Sequence, residues 1–157
     1  MSERASPVDL ARAAICIRPV VAHDLPALEW EGQYQRYRRV FRANFEDMQR
    51  GQRMLWVAEA EGRLVGQVFV QLLSADPSFA DGVRRAYLYA FRVRPGWQGL
   101  GLGTHLMATA EDDLITRGFR VAVIAAGRDN ERARALYERL GYRVFAEDAG
   151  EWTYTDD

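Results

Sequence analysis

The stretch PGWQGLGLGTHLM, residues 95–107, places Gly99, Gly101 and Gly103 at every second position and passes at once into leucines and alanines at helical spacing. A strand that turns into a helix there leaves first-turn N–H groups without intrahelical partners. They sit at the positive end of the helix dipole, where a phosphate is stabilised. Glycine lets an oxygen approach those amides closely and permits positive φ, although a ligand-free glycine turn would show the same glycine count. The dinucleotide fingerprint G-x-G-x-x-G does not fit: counting on from Gly99 and Gly101 reaches Thr104, and from Gly101 and Gly103 reaches Leu106. The triphosphate loop G-x-x-x-x-G-K-[ST] is excluded, because all 21 basic residues are arginine.

Other residue types narrow the chemistry. Cys16 is the only cysteine, so neither a disulfide framework nor a cysteine metal cluster is expected, no metal site is read, and a reducing, cytoplasmic compartment is the default. A net charge of -1 gives no global attraction to nucleic acid or to an anionic membrane. MSERASPVDLARAA lacks the apolar segment of a leader, and the longest apolar run, Val121–Ala126, is too short for a bilayer, so neither export nor anchoring is expected. At 157 residues, 48% hydrophobic and 27% charged, the chain reads as one globular domain, residues 14–157, behind a flexible arm, residues 1–13.

The segments that must position the glycine turn alternate in type. AICIRPV reads as a strand, and AHDLPALEW opens a helix with Asp24 as N-cap and Pro26 in its first turn. Trp30, Tyr34, Tyr37, Phe41, Phe45 and Met48 recur at spacings of three and four, an aromatic stripe on one helical face with Arg36, Arg38, Arg39 and Arg42 on the solvated side. MLWVAEAEGRLVGQVFVQLL is a hairpin turning at Glu61-Gly62, and RAYLYAFRV a strand ended by Pro95. Helix follows from Gly101 to Arg117. FRVAVIAAG is a buried strand, Asn130 to Leu140 an amphipathic helix with Gly141 just past its end, and YRVFAE and EWTYT closing strands.

The pattern Gln98-x-x-Gly101-x-Gly103, preceded by YAFRVRP and followed by Thr104, resembles the acetyl-CoA pyrophosphate loop of the GNAT superfamily of N-acetyltransferases. NERARALYERLGYRV, residues 130–144, is similar to that family's later helix and strand, IRPVVAHDLPAL to its opening strand and helix, and VAEAEGRLVGQVFV to its hairpin. The resemblance implies an α/β fold with a mixed, mostly antiparallel central sheet of about six to seven strands flanked by about four helices. It implies acetyl-CoA as cosubstrate, without a metal, and transfer of acetyl to a primary amine in a small molecule or at a peptide N-terminus. Partners would be the amine acceptor, with no nucleic acid or membrane, and the short closing strand allows a homodimer. By the same resemblance Phe91 and Val93 would bond the pantetheine through their backbones. Gln98, Gly99, Gly101, Gly103 and Thr104 would hold the pyrophosphate, Asn130 would contact the cofactor, and Tyr137 would stand near its sulfur as the catalytic acid. Their plainer roles are a helix N-cap for Asn130 and a core ring for Tyr137.

Attack on a thioester requires an unprotonated amine, and the leaving thiolate needs a proton. At neutral pH a lysine-like amine is free base about once in two thousand molecules, an α-amine about once in seven. A phenol near pKa 10 giving its proton to a thiolate near 8.5 is uphill by about 2 kcal/mol in water. Relatives often carry a glutamate near the strand before the glycine turn, but residues 84–94 contain no acid, and Tyr87 and Tyr89 take the equivalent places. Glu29, Glu31, Glu46, Asp47 and His23 are candidate bases, with no choice among them, and His105 reads as structural. Without a base, a non-catalytic acyl-CoA sensor is the alternative, and nucleotide binding at the same loop a third reading. Arginines of the early helices lining the acceptor cleft would favour an acidic acceptor.

Overall fold

The computed structural model describes residues 14–127, 129–148 and 151–155; the expected N-terminal arm, residues 1–13, lies outside the described residues. Seven strands form one sheet: β1 (Ile15–Pro19), β2 (Arg53–Ala60), β3 (Arg63–Gln71), β4 (Arg85–Val93), β5 (Val121–Gly127), β6 (Arg143–Asp148) and β7 (Glu151–Thr155), in the order β1-β2-β3-β4-β5-β7-β6. Only β4 and β5 run parallel, joined by the crossover helix α2 (Leu102–Thr116). α1 (Arg38–Gln49) packs on one face of the sheet, α2 and α3 (Glu131–Arg139) on the other. This is the mixed, mostly antiparallel sheet expected. β7 inserts between β5 and β6, so Glu151–Thr155 do supply a paired strand.

Local sequence explains most boundaries. The β2–β3 hairpin turns at Glu61 (φ 54°) and Gly62 (φ 75°), the left-handed pair whose twist matches the flanking strands. Val68, Val70, Leu88 and Ile124 meet Leu106, Met107 and Ala110 of α2 on one face, while Leu55, Val57 and Phe69 meet Leu28 and Phe41 on the other.

The N-terminal third departs from the expected helices. Ala22–Glu29 is a 3-10 segment, with Pro26 inside it. Asp24 is not its N-cap: Val21 holds that position, and the Asp24 carboxylate turns back to accept from the Val21 N–H at 2.8 Å and from Arg18 at 2.7 and 3.0 Å. The aromatic stripe does not ride one continuous helix. Trp30 (φ 47°), Glu31 (φ 56°) and Gly32 (φ 95°) are three successive left-handed residues, a second 3-10 turn covers Gln35–Tyr37, and the α-helix begins at Arg38. The rings still form a chain, Trp30–Tyr34–Tyr37–Phe41–Phe69–Tyr89, each within 6.2 Å of the next.

β4 carries the irregularity that shapes the site. Against β3 its register steps from Phe69↔Tyr89 to Gln67↔Arg92, so Ala90 and Phe91 oppose Val68 alone, and Ala90 takes φ 51°. This is a β-bulge, and it reverses the alternation beyond it. Phe91 therefore packs on the α2–α3 face, against Tyr137, and Arg92 on the α1 face, against Trp30 and Tyr34. Gln67, only 2% exposed, fastens the bulge by donating to the Ala90 carbonyl at 3.0 Å and accepting from Arg92 at 2.7 Å.

Candidate active site

Pairing of β4 with β5 runs from Arg85↔Val121 to Leu88↔Ile124 and stops; β7 lies on the other edge of β5, and the β5-facing edge of β4 from Tyr89 onward has no strand partner among the described residues. The strands splay because the bulge bends β4 away. A cleft of about 670 Å³ opens along that free edge. It reaches both faces of the sheet: Phe91, Gly103 and Leu136 wall one side, and Trp30, Tyr34 and Arg92 the other.

All eight residues expected at the cofactor line this cleft. Phe91 and Val93 come from the free edge, Gln98, Gly99, Gly101, Gly103 and Thr104 from the turn and first helical residues, and Asn130 from the start of α3. The three glycines serve two different purposes. Gly99 (φ 74°) and Gly101 (φ 89°) are left-handed, and Gly101 is the N-cap of α2 with no side chain closing the first turn. Nothing lies within 4 Å of a Cβ built on Gly101, so the approach to the amides of residues 102–104 is bare. Gly103 has ordinary helical φ; a Cβ there would meet Phe91 Cζ at 2.9 Å. Gln98 donates from Nε2 to the Val93 carbonyl at 2.8 Å, tying the turn to the end of β4. Asn130 caps α3 by accepting from the Ala133 N–H at 3.2 Å, so the plainer role is filled while the residue also walls the cleft. Two helix N-termini thus face one space, as an anionic ligand requires.

Sequence reasoning missed the cations. Arg132 and Arg139 of α3 line the same cleft, and the Arg132 Nη2 would stand 3.2 Å from a Cβ on Gly99, beside the turn. Their i, i+7 spacing on an arginine-rich helix was the available signal. The uncapped left-handed turn, the second helix start and two arginine forks together fit a diphosphate.

Tyr137 is 4% exposed and does not wall the cleft; its ring packs 6.2 Å from both Phe91, which does, and Tyr142. No acid or histidine is among the described wall residues. Of the candidate bases, Glu29 is held by Arg38 at 2.9 Å and Glu31 by Arg94 at 2.9 Å, and each pairing keeps the carboxyl below its ordinary range. Burial acts to raise Asp47, but Arg53 and Arg50 outweigh it and hold this carboxyl low as well. Glu46 and His23 are exposed. Burial pushes the Tyr89 phenol up to about 12, against the pull of Arg53, whose Nη1 donates to its hydroxyl at 2.7 Å. Arg36, Arg38, Arg39 and Arg42 are exposed and outside the wall, the solvated face expected of them.

The remaining wall cation is Arg92. Its Nη2 donates to the Leu28 carbonyl and to Gln67, and its Cζ lies 4.1 Å from the Trp30 ring centroid and 3.9 Å from that of Tyr34. A partly buried cation with no carboxylate partner among the described residues carries a desolvation cost, and each ring returns roughly 0.5–2 kcal/mol. Burial pushes Arg92 down to about 10, with the nearby Tyr34 acting the other way, so it remains a cation at neutral pH.

A model of the acetyltransferase (GNAT) family matches residues 21–142. The chain belongs to that family. Among its GNAT relatives, the mycothiol acetyltransferase of Cellulomonas flavigena is 34% identical over 94 residues, 59% of this chain and 27% of that protein. The probable N-acetyltransferase camello of Xenopus tropicalis is 30% identical over 128 residues, 76% of this chain and 56% of that one. This chain thus spans between about a quarter and a half of the length of these two curated relatives. The GNAT fold has a solved counterpart in the PaiA N-acetyltransferase of Thermoplasma acidophilum, in complex with coenzyme A: TM-score 0.76, 16% identity, covering 92% of this chain and 99% of that one. Among the described residues no helix is long and apolar enough to cross a membrane.

Proposed function

We propose that the chain is an acyl-CoA-dependent N-acetyltransferase, residues 14–157 forming one acetyltransferase domain that acts in the cytoplasm, where the exposed Cys16 thiol stays reduced. One observation carries the reading: the uncapped mouth of α2 opens into the same cleft as the unpaired edge of β4. Acetyl-CoA would supply the activated acyl group. The amides after Gly101, with Gln98, Gly99, Gly103, Thr104, Asn130 and Arg132, hold the diphosphate; the pantetheine takes the place of the missing strand, bonded by the backbone of Phe91 and Val93, which orients the thioester. The acceptor enters from the α1 face, past Trp30 and Tyr34, and its nitrogen lone pair attacks the carbonyl carbon. The C–N bond forms, the C–S bond breaks, the nitrogen loses a proton and the sulfur gains one.

Tyr137, set behind Phe91, is the proposed hydrogen-bond donor to the departing sulfur. With no base among the described wall residues, proton removal falls to water, which favours acceptors already partly unprotonated, such as α-amines. The test is thiol release from acetyl-CoA with a panel of amino acids, peptide N-termini and polyamines. Amine-dependent release supports the reading. Tight binding of coenzyme A without release from any amine overturns it in favour of a sensor, and displacement of coenzyme A by ATP or NAD would point to nucleotide binding instead.

A further inference from the structure

Gln67 is a buried polar side chain in a strand of buried apolar ones, and both ends of its amide are engaged. Oε1 accepts from Arg92 Nη2 at 2.7 Å, and Nε2 donates to the Ala90 carbonyl at 3.0 Å. A guanidinium can only donate, so Arg92 settles which end of the amide meets that carbonyl. The carbonyl belongs to the bulge, where the strand ladder has a residue left over. Packing alone would be served by an apolar residue, as at Val65 and Phe69 of the same strand.

The geometry points to Gln67 as a positioning residue that aims and polarises the Phe91 N–H towards the thioester carbonyl of the bound acyl-CoA. The Ala90–Phe91 peptide is trans, so its N–H points opposite to its C=O. With the carbonyl turned to Gln67 on β3, the N–H is directed away from β3, towards the unpaired edge of β4 that lines the cleft. Ala90 holds φ 51°, a conformation that alanine adopts only where its surroundings enforce it, and the Gln67 bond supplies that restraint. The groups also form a chain of donors. The Arg92 cation donates to the Gln67 amide, the amide donates to the Ala90 carbonyl, and the peptide passes the polarisation to its own N–H. The first bond is charge-assisted, and each strengthens the next in a low-dielectric interior. No carboxylate among the described residues neutralises the Arg92 end, since the neighbouring Glu29 and Glu31 are held by Arg38 and Arg94. Negative charge builds on the thioester oxygen as the amine attacks, so a donor fixed and polarised in advance stabilises the transition state more than the bound substrate. This inference rests on the acetyltransferase reading and adds a residue to its machinery.

The experiment reads the thioester itself. Acetyl-CoA isotope-labelled at the acetyl carbonyl is bound to the full chain, and infrared difference spectroscopy reads its C=O stretch; thiol release reads kcat and KM, and calorimetry reads coenzyme A affinity. In wild type the stretch should lie at lower wavenumber than in free acetyl-CoA. Gln67→Leu removes the donor chain, whereas Gln67→Glu keeps the length and the bond from Arg92 but has no N–H to give the Ala90 carbonyl. In both, the stretch should return to its solution position and kcat should fall roughly tenfold or more, while coenzyme A affinity stays within about threefold. A wild-type stretch equal to that of free acetyl-CoA overturns the inference even if neither variant folds. A shift that survives in either variant overturns it too, whatever happens to kcat, because Gln67 would then serve packing alone. A shifted stretch without thiol release from any amine would sustain the Gln67 assignment and sink the acetyltransferase reading. Release with an unshifted stretch does the reverse, and acetyl-CoA that does not bind contradicts both.

Discussion

Gly101→Ala separates backbone conformation from every other effect at the glycine turn. The residue holds φ 89° and a Cβ there would touch nothing within 4 Å, so no clash contributes. Forcing an alanine into the left-handed region costs roughly 1–2 kcal/mol. For a chain of this size each kcal/mol lowers Tm by about 2–4 °C, so the apo variant should melt about 2–8 °C below wild type. Coenzyme A at 100 times its Kd should stabilise wild type by about 2.7 kcal/mol, or about 5–11 °C. In the variant the turn either keeps its shape with a methyl at the mouth of α2 or relaxes and swings the amides of residues 102–104 off axis. Either way Kd should rise at least tenfold, about 1.4 kcal/mol, and the thermal shift should shrink accordingly. Gly101→Asn should fall between, because asparagine tolerates the left-handed region. Thermal unfolding with and without coenzyme A, with calorimetry for Kd, reads all of this. A Gly101→Ala protein with wild-type Tm and wild-type Kd would refute the reasoning.

Other consequences are as direct. Tyr137→Phe should lower kcat by roughly 100-fold, the range of a lost proton donor, while coenzyme A affinity stays within about twofold; unchanged turnover removes Tyr137 from the chemistry. Because no acid or histidine is among the described residues of the cleft wall, log kcat/KM should follow ionisation of the acceptor. It should climb with pH to about 8 for a peptide N-terminus and onward towards 10 for an alkylamine, whereas an inflection near pH 6 shared by all acceptors would reveal a protein base. Asp81 accepts from the N–H groups of Arg85, Val83 and Arg84 at 2.8, 3.0 and 2.7 Å, which pull its carboxyl down to about 2. A depressed folded-state pKa gives stability that is complete above the unfolded value near 3.9 and is lost as pH falls towards 2. Urea midpoints should therefore drop between pH 5 and 2.5 in wild type and drop less in Asp81→Asn.

The parts legible in the sequence were those with local chemistry behind them. Glu61-Gly62 marks its own turn, Pro95 ends β4, and Gly99 and Gly101 announce left-handed residues before a helix. The α1 face of the site was not legible. Its decisive features are a bulge at an alanine, which carries no signature of positive φ, and a left-handed turn whose first two residues are Trp30 and Glu31. Gln67 in LVGQVFV was the available clue, a polar residue in a buried strand that needs a partner, but its partners Ala90 and Arg92 are set by tertiary register. Tyr137 shows the same limit: periodicity put it on the inward stripe, where core and site cannot be told apart.

The most direct measurement of the central claim is a crystal soaked with coenzyme A. The diphosphate should lie within hydrogen-bonding distance of the amides of residues 102–104, with the pantetheine along the free edge of β4. Coenzyme A bound elsewhere, or no density at millimolar ligand, would contradict it.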